Sequence, residues 1–294
     1  MKTKMHALGA LFALAALFVA EHASAQELSR VPPGQFSDSA LRAGLTGRRP
    51  YWSAGEARPF FAAVFDFGGI SGRVEANLGY GKPHYAWAGF EGGASLSLRG
   101  VTEFGGMRAV LPFGYARVLG RFFEATQQRM IAPDDVITRP MLDVNSGPRS
   151  SYGAIDGELA FDIPLPVGTL GVLGSAHGIF PTQKNYFIFE EGLRIVADAP
   201  FIWRGRLSYL VGVGDPPTLR VGGIVEVVHN PAREAVTLRT GPAVVVSLTH
   251  HLEAVGVAAF SFLGPDEIGL ASADIGQISL RYRWATGDLW PEFP

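Results

Sequence analysis

The chain has 294 residues, and its 25 Lys and Arg residues nearly balance its 27 Asp and Glu residues, for a formal net charge of −2. This balance gives no electrostatic basis for binding nucleic acid or an anionic surface. The sequence has no cysteine, which excludes disulfides, thiolate metal sites and thiol nucleophiles. Its 37 glycines and 20 prolines disfavour a helical protein, because both residue types interrupt helix interiors.

The N-terminus has the three parts of a secretory signal peptide. Lys2 and Lys4 precede an apolar run over residues 7–20, and an Ala-Ser-Ala exit follows at residues 23–25. A membrane-spanning helix needs about 20 apolar residues, and this run is shorter. We therefore expect residues 1–25 to be a signal peptide that is cleaved before Gln26, and the mature chain to be exported.

The rest of the chain shows the period of β-strands. Residues 26–57 do not alternate and predict an irregular periplasmic lead-in, but from about residue 59 to residue 284 apolar residues alternate with polar or small ones. Period two predicts strands with one apolar face. Several runs reach about 10–13 residues, which is long for a soluble domain and sufficient for a tilted strand to cross a bilayer. The clearest run, 201–213, places Phe201, Trp203, Leu207 and Tyr209 on one face and Arg204, Arg206 and Ser208 on the other.

The number of strands follows less directly. Thirteen runs can be marked, near 59–68, 72–80, 84–98, 101–113, 115–127, 152–163, 167–177, 186–196, 201–214, 218–228, 235–249, 251–263 and 272–284. Single-chain bacterial barrels have even numbers of strands, so one run must be miscut, and alternation is poorest over 101–127. We predict an all-β, antiparallel up-and-down transmembrane barrel of about 12 strands over 58–284, with a C-terminal tail at 285–294.

The connections also suit a barrel. Short turns at 81–83, 198–200 and 230–232 contrast with one long polar stretch at 128–151, and short turns on one side with longer loops on the other are typical of outer-membrane proteins. One residue departs from the pattern. Pro242 lies inside a run and cannot donate a ladder hydrogen bond, so we expect a β-bulge there.

With this pattern the sequence resembles bacterial outer-membrane β-barrel proteins as a class, over roughly residues 59–284. Such proteins commonly end on a strand that closes with an aromatic residue, which the barrel assembly machinery recognises. Tyr282 and Trp284 look like that signal, although the chain continues for ten residues, from Ala285 to Pro294. The resemblance implies the outer membrane of a Gram-negative bacterium, with membrane lipid and the assembly machinery as partners.

Catalytic and metal-binding patterns are weak. The sequence contains no H-x-H pair, no H-E-x-x-H and no G-x-S-x-G. We interpret each histidine of the mature chain as a polar residue at a strand end, and the acidic pairs Asp134-Asp135 and Asp266-Glu267 as solvated loop charge; the histidines are His84, His177, His229, His250 and His251. We therefore assign no catalytic residue, metal or cofactor. An outer-membrane enzyme that modifies lipid, with its site at the barrel rim, remains an alternative.

The inward faces of the predicted strands collect charge of both signs. A soluble barrel would bury such residues at prohibitive cost, whereas a water-bearing or ion-paired lumen accommodates them. The residues expected to line the lumen are Arg73, Glu75, Arg108, Asp156, Glu158, Arg194, Arg204, Arg206, Arg220, Glu226, Arg239, Arg281 and Arg283.

Two interpretations of this charge stay open. The pairs could form a plug that makes the protein a structural barrel, or they could line a narrow, porin-like channel for small solutes whose excess of arginine favours anions. A secreted soluble β-sandwich is a third interpretation. Outward aromatic residues such as Phe201, Trp203 and Tyr209 argue against the sandwich.

Overall fold

The computed structural model describes Trp52 and residues 56–68, 71–143, 146–213, 219–249, 251–274 and 279–287. The predicted signal peptide, most of the lead-in and the end of the predicted tail lie outside the described residues. Within the described part, twelve antiparallel wall strands close into an up-and-down β-barrel. The predicted fold class is confirmed, and the single closed sheet is not a β-sandwich.

Each wall strand pairs with its neighbours along the chain, and the last closes on the first through β1 and β15. Two further short strands, β8 and β9, form a separate hairpin, and β13 and β14 both pair with β12 as one interrupted wall strand. The bounds are β1 (Arg58–Gly68), β2 (Ser71–Lys82), β3 (Ala86–Ser97), β4 (Gly100–Leu111), β5 (Gly114–Arg129), β6 (Arg149–Pro164), β7 (Thr169–Pro181), β8 (Ile188–Glu190), β9 (Ile195–Ala197), β10 (Phe201–Val213), β11 (Leu219–Asn230), β12 (Ala235–Ser247), β13 (Leu252–Val257), β14 (Phe260–Leu263) and β15 (Ser279–Ala285).

The miscounted run is 186–196, and 101–127, where alternation is poorest, is counted correctly. Residues 101–127 form parts of two regular wall strands, β4 and β5, which pair in continuous register from Gly100 to Leu111. Residues 186–196 instead fold as the β8–β9 hairpin, whose six strand residues are all buried. A hairpin that is buried on both faces has no face on the outside of the barrel, so it cannot serve as a wall strand.

Burial alternates along the wall strands as the sequence predicts. In β10, Ile202, Ser208 and Leu210 are at most 3% exposed, whereas Phe201 and Tyr209 on the other face are about 40% exposed. The outward faces together carry a belt of large apolar side chains that are more than half exposed, among them Leu78, Phe90, Met107, Val118, Leu159 and Val225. None of the helices in the described part of the chain is long and apolar enough to cross a membrane.

The two ends of the barrel differ in the length of their connections. One end, which we call the upper end, holds the connections 130–148, 182–200 and 264–278, together with a four-residue helix, α1 (Arg139–Leu142). The other, lower end holds shorter turns and the start of β1. The predicted contrast between the ends is therefore present. Two of the short turns cited for it were misplaced, however, because 198–200 and 230–232 lie at the upper end.

Pro242 lies beside an interruption in the neighbouring strand, between β13 and β14, and not at a bulge in its own strand, β12. β12 pairs with β11 in continuous register through Pro242, so the expected bulge is absent from that ladder. On its other side, Pro242 accepts a hydrogen bond from the backbone of Ala258, at the break between β13 and β14. The missing N–H of proline thus falls where the neighbouring strand is interrupted and does not require a donor.

Candidate functional site: the barrel interior

The lower end of the interior is closed by an apolar layer. Trp52, from the predicted lead-in, is 4% exposed and packs edge-on against the rings of His84 and His251, with ring centroids 4.6 and 5.4 Å apart. Around it lie the buried side chains of Phe60, Ala62, Trp87, Val110 and Ala285. A second apolar cluster fills the lower interior beneath β10 to β13.

His84 is held in one neutral form at this end. Its Nε2 lies 2.9 Å from the carbonyl oxygen of Trp284, and a carbonyl can only accept, so Nε2 carries the proton. Burial, followed by the guanidinium of Arg283, lowers the pKa of His84 to about 3. His84 is therefore uncharged at any ordinary pH, and its contact with Trp284 joins the lower turn between β2 and β3 to the closing strand.

The middle of the interior is a layer of ion pairs. On the β1–β4 side, Glu75 contacts Arg73 at 2.6 Å and Arg108 at 3.1 Å, and Arg108 also contacts Glu91 at 3.1 Å. Arg108 lies on β4 and Glu75 on β2, so this contact spans the intervening strand. Long side chains thus cross the interior as well as joining adjacent strands.

A tighter ion-pair cluster lies on the opposite wall. Glu226 is 1% exposed and is held by Arg206 at 2.5 Å and by Arg239 at 2.8 Å. Arg206 also contacts Asp274, at 2.5 Å, from the upper connection that follows β14. The carboxylate of Glu226 thus compensates two guanidinium groups that have almost no contact with solvent.

The closing strand continues the layer. Arg283 contacts Glu253 at 2.5 Å, and Arg281 contacts Asp66 at 2.6 Å across the seam between β15 and β1. Arg220, which is 1% exposed, lies 3.6 Å from Glu253. Burying charges is costly unless they are paired, so these contacts explain how the interior tolerates so many.

The β8–β9 hairpin fills the upper part of the interior. On one face it packs against the inner wall in a buried cluster, and on the other Phe189 and Val196 pack in a second cluster with residues of the upper connections. The first cluster consists of Phe123, Ala125, Tyr152, Ile179, Ile188, Leu193, Ile195, Ala197, Ile202 and Val228. Glu190, with no exposed surface, ties the hairpin to the wall: it lies 2.5 Å from Nη1 of Arg121 and accepts hydrogen bonds from the Tyr152 hydroxyl and the Leu193 backbone. Burial acts to raise the pKa of Glu190, but the charge and hydrogen bond of Arg121, together with His177, hold the pKa below its usual value.

The upper connections are also joined to one another by hydrogen bonds and an ion pair. Arg233, in the turn between β11 and β12, contacts both carboxylate oxygens of Asp266 at 2.7 and 2.9 Å and donates to the carbonyl of Val196 in the hairpin. Asp266 accepts from the backbone of Ile137, and Ile137 in turn accepts from Glu267. Loops from three different positions in the chain are therefore joined over the hairpin.

A chain of three polar residues lies on the inner faces of β6 and β7. Ser175 Oγ is 2.8 Å from Nε2 of His177, and Nδ1 of His177 is 2.8 Å from Oδ1 of Asp156. All three side chains are buried. Arg204 Nε donates to Ser175 Oγ at 3.2 Å, and Arg121 Nε lies 2.5 Å from the other carboxylate oxygen of Asp156.

Most of the residues predicted to line the lumen lie on wall strands and take part in ion pairs. Besides the pairs described above, Arg204 contacts Glu158 at 3.0 Å. Arg194 is the exception, since it lies in the turn between β8 and β9 with a φ of 56°. From there it contacts Glu191 at 3.0 Å and accepts at its carbonyl from Arg239. The prediction placed Arg194 on a wall strand, because the hairpin was mistaken for one.

Ser175 was not recognised from the sequence, and the interpretation of His177 as a strand-end residue was wrong, because it is buried within β7 between Ser175 and Asp156. The signal was present: two residues apart on one strand, Ser175 and His177 share a face, and His177 lies directly opposite Asp156 in the register of β6 and β7. Finding it required the strand pairing, because no linear motif joins the three residues. Among the described residues, no three His, Asp or Glu side chains form a group that could hold a metal ion.

The fold and the interior together define a class of protein, a closed β-barrel with an apolar outer belt and a charged interior. No protein-family model matches the chain, and no curated protein matches it either.

Proposed function

We propose that this chain is an outer-membrane β-barrel whose lumen is occupied by its own side chains and by the β8–β9 hairpin. The observation that carries the proposal is the contrast between the two faces of the wall. Large apolar side chains are exposed all round the outside, whereas Arg, Glu and Asp point inwards and pair. A soluble protein rarely exposes so extensive an apolar surface, while lipid requires one.

A bilayer also accounts for the closed ring. In lipid every backbone N–H and C=O must be satisfied within the protein, and closure through β1 and β15 removes the two free edges that an open sheet would have. The proposed route to the membrane is export by the signal peptide over 1–25, followed by insertion through the barrel assembly machinery. Tyr282 and Trp284 on the closing strand are the proposed recognition signal. In this proposal the protein acts as a structural barrel and conducts little or nothing in the closed state.

A second candidate, a gated channel for small anions, is favoured by one observation. Four arginines of the interior keep water-accessible surface: the Arg73 side chain is 33% exposed, that of Arg281 26%, and those of Arg108 and Arg117 20% each. Inside a barrel, such exposure means space for water beside the guanidinium groups. Small anions are the solutes that these groups would attract, once the hairpin had moved.

Membrane fractionation tests the proposal. We expect the protein to be recovered with the outer membrane, to resist extraction by alkali or urea, and to migrate faster on a gel before heating than after it. Val225→Arg places a charge in the apolar belt and should lower the yield of folded protein, since arginine near the bilayer midplane costs about 2–4 kcal/mol.

The matched control is Ala232→Arg, because Ala232 is exposed in the upper turn between β11 and β12. That variant should be recovered in the membrane like the wild type. Recovery of the wild type from the soluble periplasm, with no heat-dependent shift, would contradict the proposal.

A further inference from the structure

The Ser175, His177 and Asp156 side chains have the geometry of an activated nucleophile. Asp156 can only accept, so Nδ1 of His177 donates to it, which leaves Nε2 of the neutral imidazole as an acceptor. Ser175 Oγ already accepts from Arg204, so its own proton points towards Nε2. Every hydrogen bond in the chain therefore runs in the direction that removes a proton from Ser175.

Neighbouring ion pairs hold the three side chains in this arrangement. Arg121 bridges Asp156 and Glu190, at 2.5 Å from each, so the carboxylate that orients His177 is itself fixed. Arg204 is fixed in turn by Glu158, at 3.0 Å. A nucleophile within hydrogen-bond reach of a base, with the base oriented by a third group, is the arrangement that serine hydrolases on unrelated folds share.

We propose that Ser175 is the nucleophile of an acyl-transfer site inside the barrel, which hydrolyses small carboxylic esters. This inference goes beyond the proposed function, which assigns no chemistry to the interior. It also differs from a lipid-modifying enzyme with its site at the rim, because Ser175 is in the middle of β7 and faces inwards. The apolar layer below and the hairpin above restrict the site to substrates that fit in the lumen.

The reaction has two steps. Ser175 Oγ attacks the carbonyl carbon of the ester while its proton passes to Nε2 of His177, and the guanidinium of Arg204 stands beside the negative charge that develops. Nε2 then protonates the departing alkoxide, which leaves as the alcohol, with the acyl group on Ser175. A water molecule attacks the acyl carbon, its proton passes through Nε2 back to Ser175, and the carboxylic acid is released.

Methanesulfonyl fluoride tests the nucleophile on the whole folded protein in detergent micelles. The reagent is scarcely larger than acetate and transfers its sulfonyl group to an activated serine with release of fluoride. We expect mass spectrometry to find one modification, on Ser175, and none in Ser175→Ala. His177→Gln should slow the modification about 100-fold or more, the usual contribution of a general base.

Ser208→Ala is the control, because Ser208 is also buried, on the neighbouring strand, and among the described residues its hydroxyl bonds to a backbone carbonyl and to no histidine. Its rate of modification should equal that of the wild type. Asp156→Asn should also slow the reaction while Asp156→Glu restores part of it, a recovery that a purely structural role of Asp156 would not give. Heat-dependent gel migration identifies the folded fraction of each variant.

A further measurement on the wild type does not depend on whether the variants fold. Hydrolysis of p-nitrophenyl acetate should exceed that of p-nitrophenyl palmitate and should be lost after sulfonylation. An unmodified Ser175 in folded wild type, or a preference for the palmitate, would each overturn the proposal.

Discussion

Glu226→Ala is expected to lower the free energy of unfolding by about 3–5 kcal/mol, the cost of removing one partner from a buried ion pair. Glu226 is 1% exposed and is the common partner of Arg206 and Arg239, which are also buried. Among the residues that the structure describes, its removal leaves Arg239 without a carboxylate within 4 Å and Arg206 with Asp274 alone. Urea-induced unfolding in phospholipid vesicles measures the loss.

The matched control is Glu267→Ala, the same substitution at an exposed residue of the upper connection after β14. Surface substitutions of this kind change stability by about 0.5 kcal/mol or less. An equal and small effect of the two substitutions would mean that water reaches Glu226 and that the interior is not packed as described.

Replacing residues 183–199 by a short glycine–serine turn is expected to open the barrel to ions. These residues include the β8–β9 hairpin, which fills the upper interior and contributes Glu190 to the charged layer. In planar bilayers the shortened protein should give stepwise conductance, while the wild type should give little or none. Anions should pass more readily than cations, because Arg73, Arg108 and Arg281 would then face the pore.

The replacement removes Glu190, but Arg121 keeps Asp156 as its ion-pair partner. The shortened protein should therefore keep its heat-dependent gel migration, which serves as the control for folding. Wild-type channels of the same size as those of the shortened protein would show that the hairpin does not obstruct the lumen. Absence of conductance from folded, inserted, shortened protein would place the obstruction in the apolar layer around Trp52.

The barrel wall could be predicted from the sequence because its signal is local. Each wall strand must present one face to the outside and one to the interior, and that requirement appears directly as alternation, as in residues 201–213. The inward position of Arg206 and Glu226 followed from the same rule. Which arginine pairs with which carboxylate did not, because contacts such as Arg108 with Glu75 depend on the curvature of the closed sheet.

The hairpin could not be recognised by the same rule. Residues 186–196 contain apolar residues at both ends and a polar centre, which is also the appearance of a short wall strand. The distinguishing feature is burial on both faces, one against the inner wall and the other against the upper connections, and both surfaces exist only in the folded barrel. The Ser175–His177–Asp156 group was missed for a related reason, since it exists only in the register of β6 against β7.

Fluorescence quenching by brominated phospholipid tests most directly whether the outside of this barrel faces lipid. Trp203 lies on the outward face of β10, whereas Trp87 is 7% exposed within the interior layer at the lower end. Two single-tryptophan proteins, one keeping Trp203 and one keeping Trp87, would be folded into vesicles whose acyl chains carry bromine. We predict strong quenching of Trp203 and little of Trp87, because contact quenching requires a lipid-facing ring. Equal quenching of the two residues, or protein that remains in solution with neither quenched, would contradict a membrane-embedded barrel.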